Sequence, residues 1–174
     1  MVEVQGPNGQ HDIALADFHR LPGDTPERDT ALEPGELILA IRLPAEAALF
    51  RDNGRYLKLR ERTSFAFALV SAAAALRLEN GRIVAARLAL GAVAAKPWRV
   101  ESAEALLLGQ TPDAALFARA AAEALTGAAP SGDNGHKIEL ARRIAVRALT
   151  LAAAGTPDRM PALPASVFGE PAHV

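Results

Sequence analysis

The sequence predicts an α+β protein: a β-rich first part, then a three-stranded antiparallel sheet packed with three helices. One change of pattern predicts it. Short apolar runs punctuated by Gly-Pro-Asn-Gly and Asn-Gly turns continue to about Ala94, and from Val100 onward the apolar residues recur at helical spacing. Composition agrees, since 174 residues that are 50% hydrophobic and 22% charged supply apolar surface for one core or one and a half.

Taken in order, Val2-Glu3-Val4 and Asp12-Ile13-Ala14-Leu15 flank Gly6-Pro7-Asn8-Gly9, the pattern of a hairpin. An isolated hairpin is marginal in water, so further strands are expected upstream or from another chain. Residues 16–34 hold three prolines and five acidic residues and read as a long ordered loop with one helical turn near Asp17-Phe18-His19. Glu36 to Leu43, apolar and closed by Pro44, reads as a strand buried on both faces for much of its length. A boundary between two units is expected at residues 44–53.

Arg55 to Arg62 alternates charged and apolar residues, with a slip at Tyr56 and Leu57 that predicts a bulge. The alanines of residues 64–78 favour helix, but Asn80-Gly81 is a hairpin turn signal. The turn decides the reading: a short turn over 64–68, a strand from about Ser71 to Leu78, and a second strand from Arg82 to Ala94. A short helix around Ala103, Leu106 and Leu107 ends at Gly109. Thr111-Pro112-Asp113 starts another, with Thr111 as the capping hydroxyl, and Gly127 ends it. The third runs from about Lys137 to Ala154, with Ile144 and Ala148 on its apolar face and Arg142, Arg143 and Arg147 opposite. Residues 156–174, with four prolines and no periodicity, are expected to form a loose tail.

Several chemistries are excluded. A net charge of -1 removes the long-range field that would draw nucleic acid or an acidic membrane. Zero cysteines exclude disulfides, thiolate metal sites and iron-sulfur ligation by this chain. His11, His19, His136 and His173 have no metal-ligand spacing, and neither they nor Asp17 and Asp24 form a triad that sequence supports. The 13 glycines include no phosphate-cradling G-x-G-x-x-G or P-loop. The residues at the start lack the features of a signal peptide, and no apolar run reaches the spanning length of about 18 residues.

What remains is residues 54–68, where four cations and three aromatics gather in a chain otherwise poor in aromatics. It is the place to look for a bound anion or ring. Lys58 reads either as a site cation or as a solvated strand lysine paired with an acid such as Glu61. Phe65 and Phe67 read as core or as a stacking surface, and Arg60 and Arg62 as surface pairs or subunit contacts.

Four blocks in order carry a family resemblance: Ala16 to Thr25 (ADFHRLPGDT), Leu32 to Ile38 (LEPGELI), Tyr56 to Arg62 (YLKLRER), and Ala89 to Arg99 (ALGAVAAKPWR) followed by Ala103-Glu104. Together, over about residues 10–155, they make the chain similar to the back half of the FAD-binding subunit of molybdenum hydroxylases, of the xanthine dehydrogenase and aldehyde oxidoreductase type. The resemblance implies that residues 1–48 are the C-terminal remnant of a PCMH-type FAD-binding domain. It also implies that residues 53–155 form a domain like the C-terminal one of the carbon monoxide dehydrogenase flavoprotein, ahead of the tail 156–174. It implies FAD, with pyrophosphate loops supplied by an N-terminal half missing from this sequence, a separate chain being one carrier of it. The implied partners are a molybdopterin-binding large subunit and a [2Fe-2S] small subunit, so that electrons reach FAD and then an acceptor while substrate chemistry occurs elsewhere. The cytoplasm is the expected compartment, with export alongside a partner the alternative. Residue by residue, the family's lysine near the flavin falls on Lys58, a cofactor-touching aliphatic residue on Ile38, otherwise ordinary strand core, and an aromatic or polar residue on Phe65 or Ala66. No catalytic or metal-ligating residue is assigned to this chain. A second reading is a non-catalytic assembly module that no longer binds FAD; a nucleic-acid binder using the basic strand is a third.

Overall fold

The computed structural model describes residues 1–62 and 65–158. Two antiparallel sheets form. In the smaller one β1 (Val2–Gly6) lies between β2 (Gly9–Ile13) and β3 (Leu37–Ile41). The Pro7-Asn8 turn joins β1 to β2 as expected, and α1 (Leu15–Phe18) supplies the expected helical turn. Val2, Val4 and Phe18 are buried there, with Ile13 and Leu32 packed against them. This is a small core for a sheet.

β3 overturns the expectation of a strand covered on both faces. Leu37, Ile38, Leu39 and Ile41 are 69%, 48%, 54% and 65% exposed. β3 is an outer strand paired to β1 on one side, and nothing among the described residues covers its apolar side chains. A 3-10 segment, Ala45–Asn53, connects β3 to the first strand of the larger sheet.

The larger sheet has the order β4 (Gly54–Leu59), β5 (Val70–Glu79), β6 (Arg82–Gly91) and β7 (Trp98–Arg99). The expected three strands are therefore four. After the Lys96-Pro97 corner the chain pairs Trp98 and Arg99 with Leu90 and Ala89, and the Trp98 indole donates to the Ala124 carbonyl at 2.9 Å. The alanine-rich segment is a strand, not a helix. Asn80 and Gly81 both take positive φ, 50° and 75°, which is what a two-residue type I′ hairpin requires.

The predicted bulge at Tyr56 and Leu57 is absent, because β4 pairs residue for residue with β5 from Gly54↔Ala75 to Leu59↔Val70. The apparent slip arises because the half-apolar Tyr56 takes the open face of the sheet. The irregularity lies instead between Arg77 and Leu78, where the shift lets both Ile83 and Ala86 of β6 point inward.

Three helices cover one face of this sheet: α2 (Glu101–Ala105), α3 (Ala114–Ala124) and α4 (His136–Ala153). Alanines make the contact close. Ala72 and Ala74 of β5 and Ala141, Ala145 and Ala148 of α4 are all buried, so the helix backbone lies near the strand. Larger side chains such as Leu76, Leu90 and Leu149 fill the remaining space, each contributing roughly 1.5–3 kcal/mol by leaving water. Thr111 does not cap α3: the cap is Asp113, whose carboxylate accepts from the Leu116 backbone N–H at 2.7 Å. Pro112 has no N–H and holds Thr111 away from the helical region, which moves the start two residues on. Gly155 (φ 102°) turns the chain out of α4, and Thr156 is fastened rather than loose: its hydroxyl accepts from the Gly54 N–H at 2.8 Å and its N–H donates to the Asp52 carbonyl at 2.7 Å. The rest of the predicted tail from residue 159 lies outside the described residues. No helix among them is long and apolar enough to cross a membrane.

Candidate functional site

Pairing fixes which β4 residues share a face. Leu57, Ala72 and Leu90 form one cross-strand row under the helices, and Lys58, Ser71 and Gly91 form the next row, on the opposite, open face. Tyr56, Ala73 and Ala89 continue that open face. Its floor is therefore built of serine, alanine and glycine, while Tyr56 and Lys58 stand exposed along its edge. The far end is closed by the 3-10 segment, whose Phe50 ring lies 5.2 Å from the Arg87 guanidinium.

Gly91 is required by its neighbour. A Cβ at this position would meet the Ser71 hydroxyl well inside contact distance, so the backbone can be approached here only because the side chain is missing. Two non-glycine residues with positive φ bracket the same end of the sheet: Ala92 (62°), directly after Gly91, and Phe65 (47°), in the connection from β4 to β5. Such residues cost free energy and persist where surrounding structure over-determines them. For Ala92 the restraint is visible, since the Lys137 ammonium on α4 donates to its carbonyl at 2.8 Å.

The aromatic residues of the connection are not core. Phe65 is 97% exposed and Phe67 99% exposed, which overturns the reading that they pack inside. Their segment leaves β4 at the open end of the sheet, where no helix reaches over them. Lys58 forms no ion pair among the described residues, and the pair with Glu61 does not form. The structure thus places Lys58 and Phe65 at one end of the larger sheet. Ile38 sits apart, on β3 of the smaller sheet, and no hydrogen bond links it to either.

The Asp17, His19 and Asp24 grouping forms no metal cluster among the described residues. His19 is edge-on to Phe18 with ring centroids 5.2 Å apart, and its buried Nδ1 has no hydrogen-bond partner there.

One organising residue was missed as such by the sequence reading. Glu104 of α2 is buried; its Oε1 accepts from the Leu88 N–H of β6 at 3.0 Å and from the Arg99 Nε at 2.7 Å, while Oε2 accepts from the Arg99 Nη2 at 2.7 Å. These bonds raise the Arg99 pKa, partly offset by burial. They clamp β6, β7 and α2 together, which holds the strand that carries Gly91. The signal was a second acid in the short Glu-Ser-Ala-Glu-Ala helix, directly after the core residue Ala103.

Residues 55–154 match the model of the CO dehydrogenase flavoprotein C-terminal domain. The chain is 42% identical over 146 residues to the aldehyde oxidoreductase FAD-binding subunit PaoB of Escherichia coli, a match covering 82% of this chain and 41% of that protein. It is 32% identical over 131 residues to the carbon monoxide dehydrogenase medium chain of Afipia carboxidovorans, covering 75% and 43%. Among solved structures it is similar to a carbon monoxide dehydrogenase from Hydrogenophaga pseudoflava that lacks the Mo-pyranopterin moiety (TM-score 0.76, 31% identity, 88% of this chain and 52% of that chain). It is likewise similar to the quinoline 2-oxidoreductase from Pseudomonas putida 86 (TM-score 0.73, 29% identity, 88% and 52%). The chain spans less than half the length of these two curated relatives.

Proposed function

The chain belongs to the family of CO dehydrogenase flavoprotein C-terminal domains, and from that premise we propose that it contributes one wall of an FAD site within a molybdenum hydroxylase complex of the aldehyde or xanthine dehydrogenase type. The observation that carries the reading is the end of the larger sheet where the Lys58, Ser71 and Gly91 row lies and from which the connection holding the exposed Phe65 departs.

The residues fit one end of the cofactor and not the other. A floor of small side chains and exposed aromatic carbon suit a flat ring system. The pyrophosphate has no such receiver, because the glycines form no phosphate-cradling loop. That part of the site belongs to a second polypeptide segment, corresponding to the length of the relatives that this chain does not cover. The open β3 edge, with Ile38 on it, offers such a segment a strand to pair with and an apolar face to cover.

Bound FAD would supply the electron-carrying step between the [2Fe-2S] clusters of a small subunit and an acceptor, substrate being oxidised on a molybdopterin-binding large subunit. The work of this chain is binding and electrostatics. The Lys58 ammonium places a positive charge at the open row, where it stabilises negative charge developing on a neighbouring ring. Phe65 and Phe67 cover a ring edge and keep water from it. Ser71 and Gly91 set how closely a ligand approaches the strand backbone. The compartment we assign is the cytoplasm, or the periplasm by export with a partner.

A second reading, an assembly module that binds no flavin, is favoured by the missing phosphate loop. Co-purification of the tagged chain from its host, with mass spectrometry of partners and a visible spectrum, separates the two. Molybdenum and iron-sulfur subunits recovered with a flavin band support the first reading; the same subunits recovered without flavin support the second.

A further inference from the structure

The outer face of α4 carries a feature that the flavin wall does not use. Arg143 and Arg147 stand one turn apart, about 6 Å along the helix, and both are exposed. They form a ridge between two shallow apolar grooves. On one side the groove runs between α4 and the β4 edge, lined by Leu57, Leu59, Leu140 and Ile144, with Lys58 at its β4 margin. On the other it runs along Val146 and Leu151, beside Ala118 of α3. Both arginines line both grooves.

The charges are compensated unequally. Glu139 takes Arg142 at 2.7 Å and Arg143 at 2.6 Å, whereas Arg147 enters no ion pair among the described residues. The positive charge is local, because the chain as a whole carries -1.

We infer that this ridge docks an acidic amphipathic helix of a partner protein, with two carboxylates one turn apart over Arg143 and Arg147 and aliphatic side chains in the two grooves. Charge complementarity names the acid, and the aliphatic floors name its neighbours. A helix laid along a helix matches the spacing of the two arginines, since both repeat every turn. Nucleic acid fits less well: neither groove presents an aromatic ring for base stacking, and a net charge of -1 gives a polyanion no long-range attraction. The inference rests on the α4 ridge and not on the flavin reading; Lys58 also borders the β4-side groove, so the variants that test it are at Arg143 and Arg147 and leave Lys58 in place.

The probe is a synthetic helix-forming peptide with two glutamates four residues apart flanked by leucines, titrated by NMR into the full-length chain. A peptide with glutamine at both positions is the control. Expected are shifts confined to α4, the β4 edge and the α3 residues beside Ala118, with affinity falling about tenfold or more in Arg143→Gln/Arg147→Gln, for the glutamine peptide, and at high salt. Arg147→Glu is the second variant; this exposed side chain supports no core contact, and its circular dichroism reports folding independently. Equal affinity for the two peptides, equal affinity of wild type and variants, or absence of binding at millimolar peptide overturns the inference. So does tighter binding of a single-stranded oligonucleotide or of anionic vesicles, or self-association through this face that excludes the peptide.

Discussion

Glu104→Ala removes the clamp beneath the candidate site, and its cost follows from the hydrogen bonds. The substitution leaves the buried Leu88 N–H without its acceptor, worth about 1–3 kcal/mol. It also breaks the two bonds to Arg99, but that side chain is 44% exposed and regains water, so this part is held to about 1 kcal/mol. The sum is about 2–4 kcal/mol, or a fall in Tm of about 10–20 °C for a unit of roughly 100 residues. Glu104→Gln keeps an acceptor for Leu88 but turns its amide toward the guanidinium, and should cost about half as much. The assay is urea and thermal unfolding of the full-length chain followed by circular dichroism. A loss below about 1 kcal/mol for the alanine variant, or equal losses for both variants, would refute the reasoning.

Two other expectations concern single positions. Gly91→Ala forces the Ser71 hydroxyl aside and should destabilise by roughly 1 kcal/mol or more, with Ser71→Ala on the same background restoring most of the loss; additive effects in the cycle would contradict the close approach. Hydrogen bonds from Arg142, then Arg143, together with their charge, hold the Glu139 carboxyl down at about 2. Its folded value lies below the unfolded one, so its stabilisation is present above the ordinary carboxylate range and is lost as pH falls toward about 2. An NMR titration of Glu139 should show that midpoint and its return toward 4.5, the ordinary value, in Arg142→Gln/Arg143→Gln; a midpoint unmoved by the double substitution would discard the pairing.

The sequence was most informative where local chemistry decides structure. Asn80-Gly81 outweighed the helical preference of the alanines because only a hairpin satisfies two successive positive φ angles. The α4 face and its Glu139 pairs were legible because their spacing is that of the helix itself. The misreadings share one cause: exposure is a property of the neighbours. Leu37 to Ile41 reads as a covered strand, and Phe65 and Phe67 read as core, yet nothing among the described residues covers them. Lys58 was legible as a candidate, but its place beside Ser71 and Gly91 depends on a register that no local pattern encodes. Glu104 was seen only as part of a block, because its partners lie 5 and 16 residues away in sequence.

The measurement that bears most directly on the account is the flavin content and acceptor kinetics of the complex assembled with Lys58→Ala, beside wild type. Lys58 is exposed and makes no ion pair among the described residues, so its loss should leave the fold and the subunit composition intact. The account predicts weaker flavin retention, or a lower flavin potential and slower turnover, in a complex of unchanged composition. Wild-type flavin content, potential and turnover in that variant would contradict it.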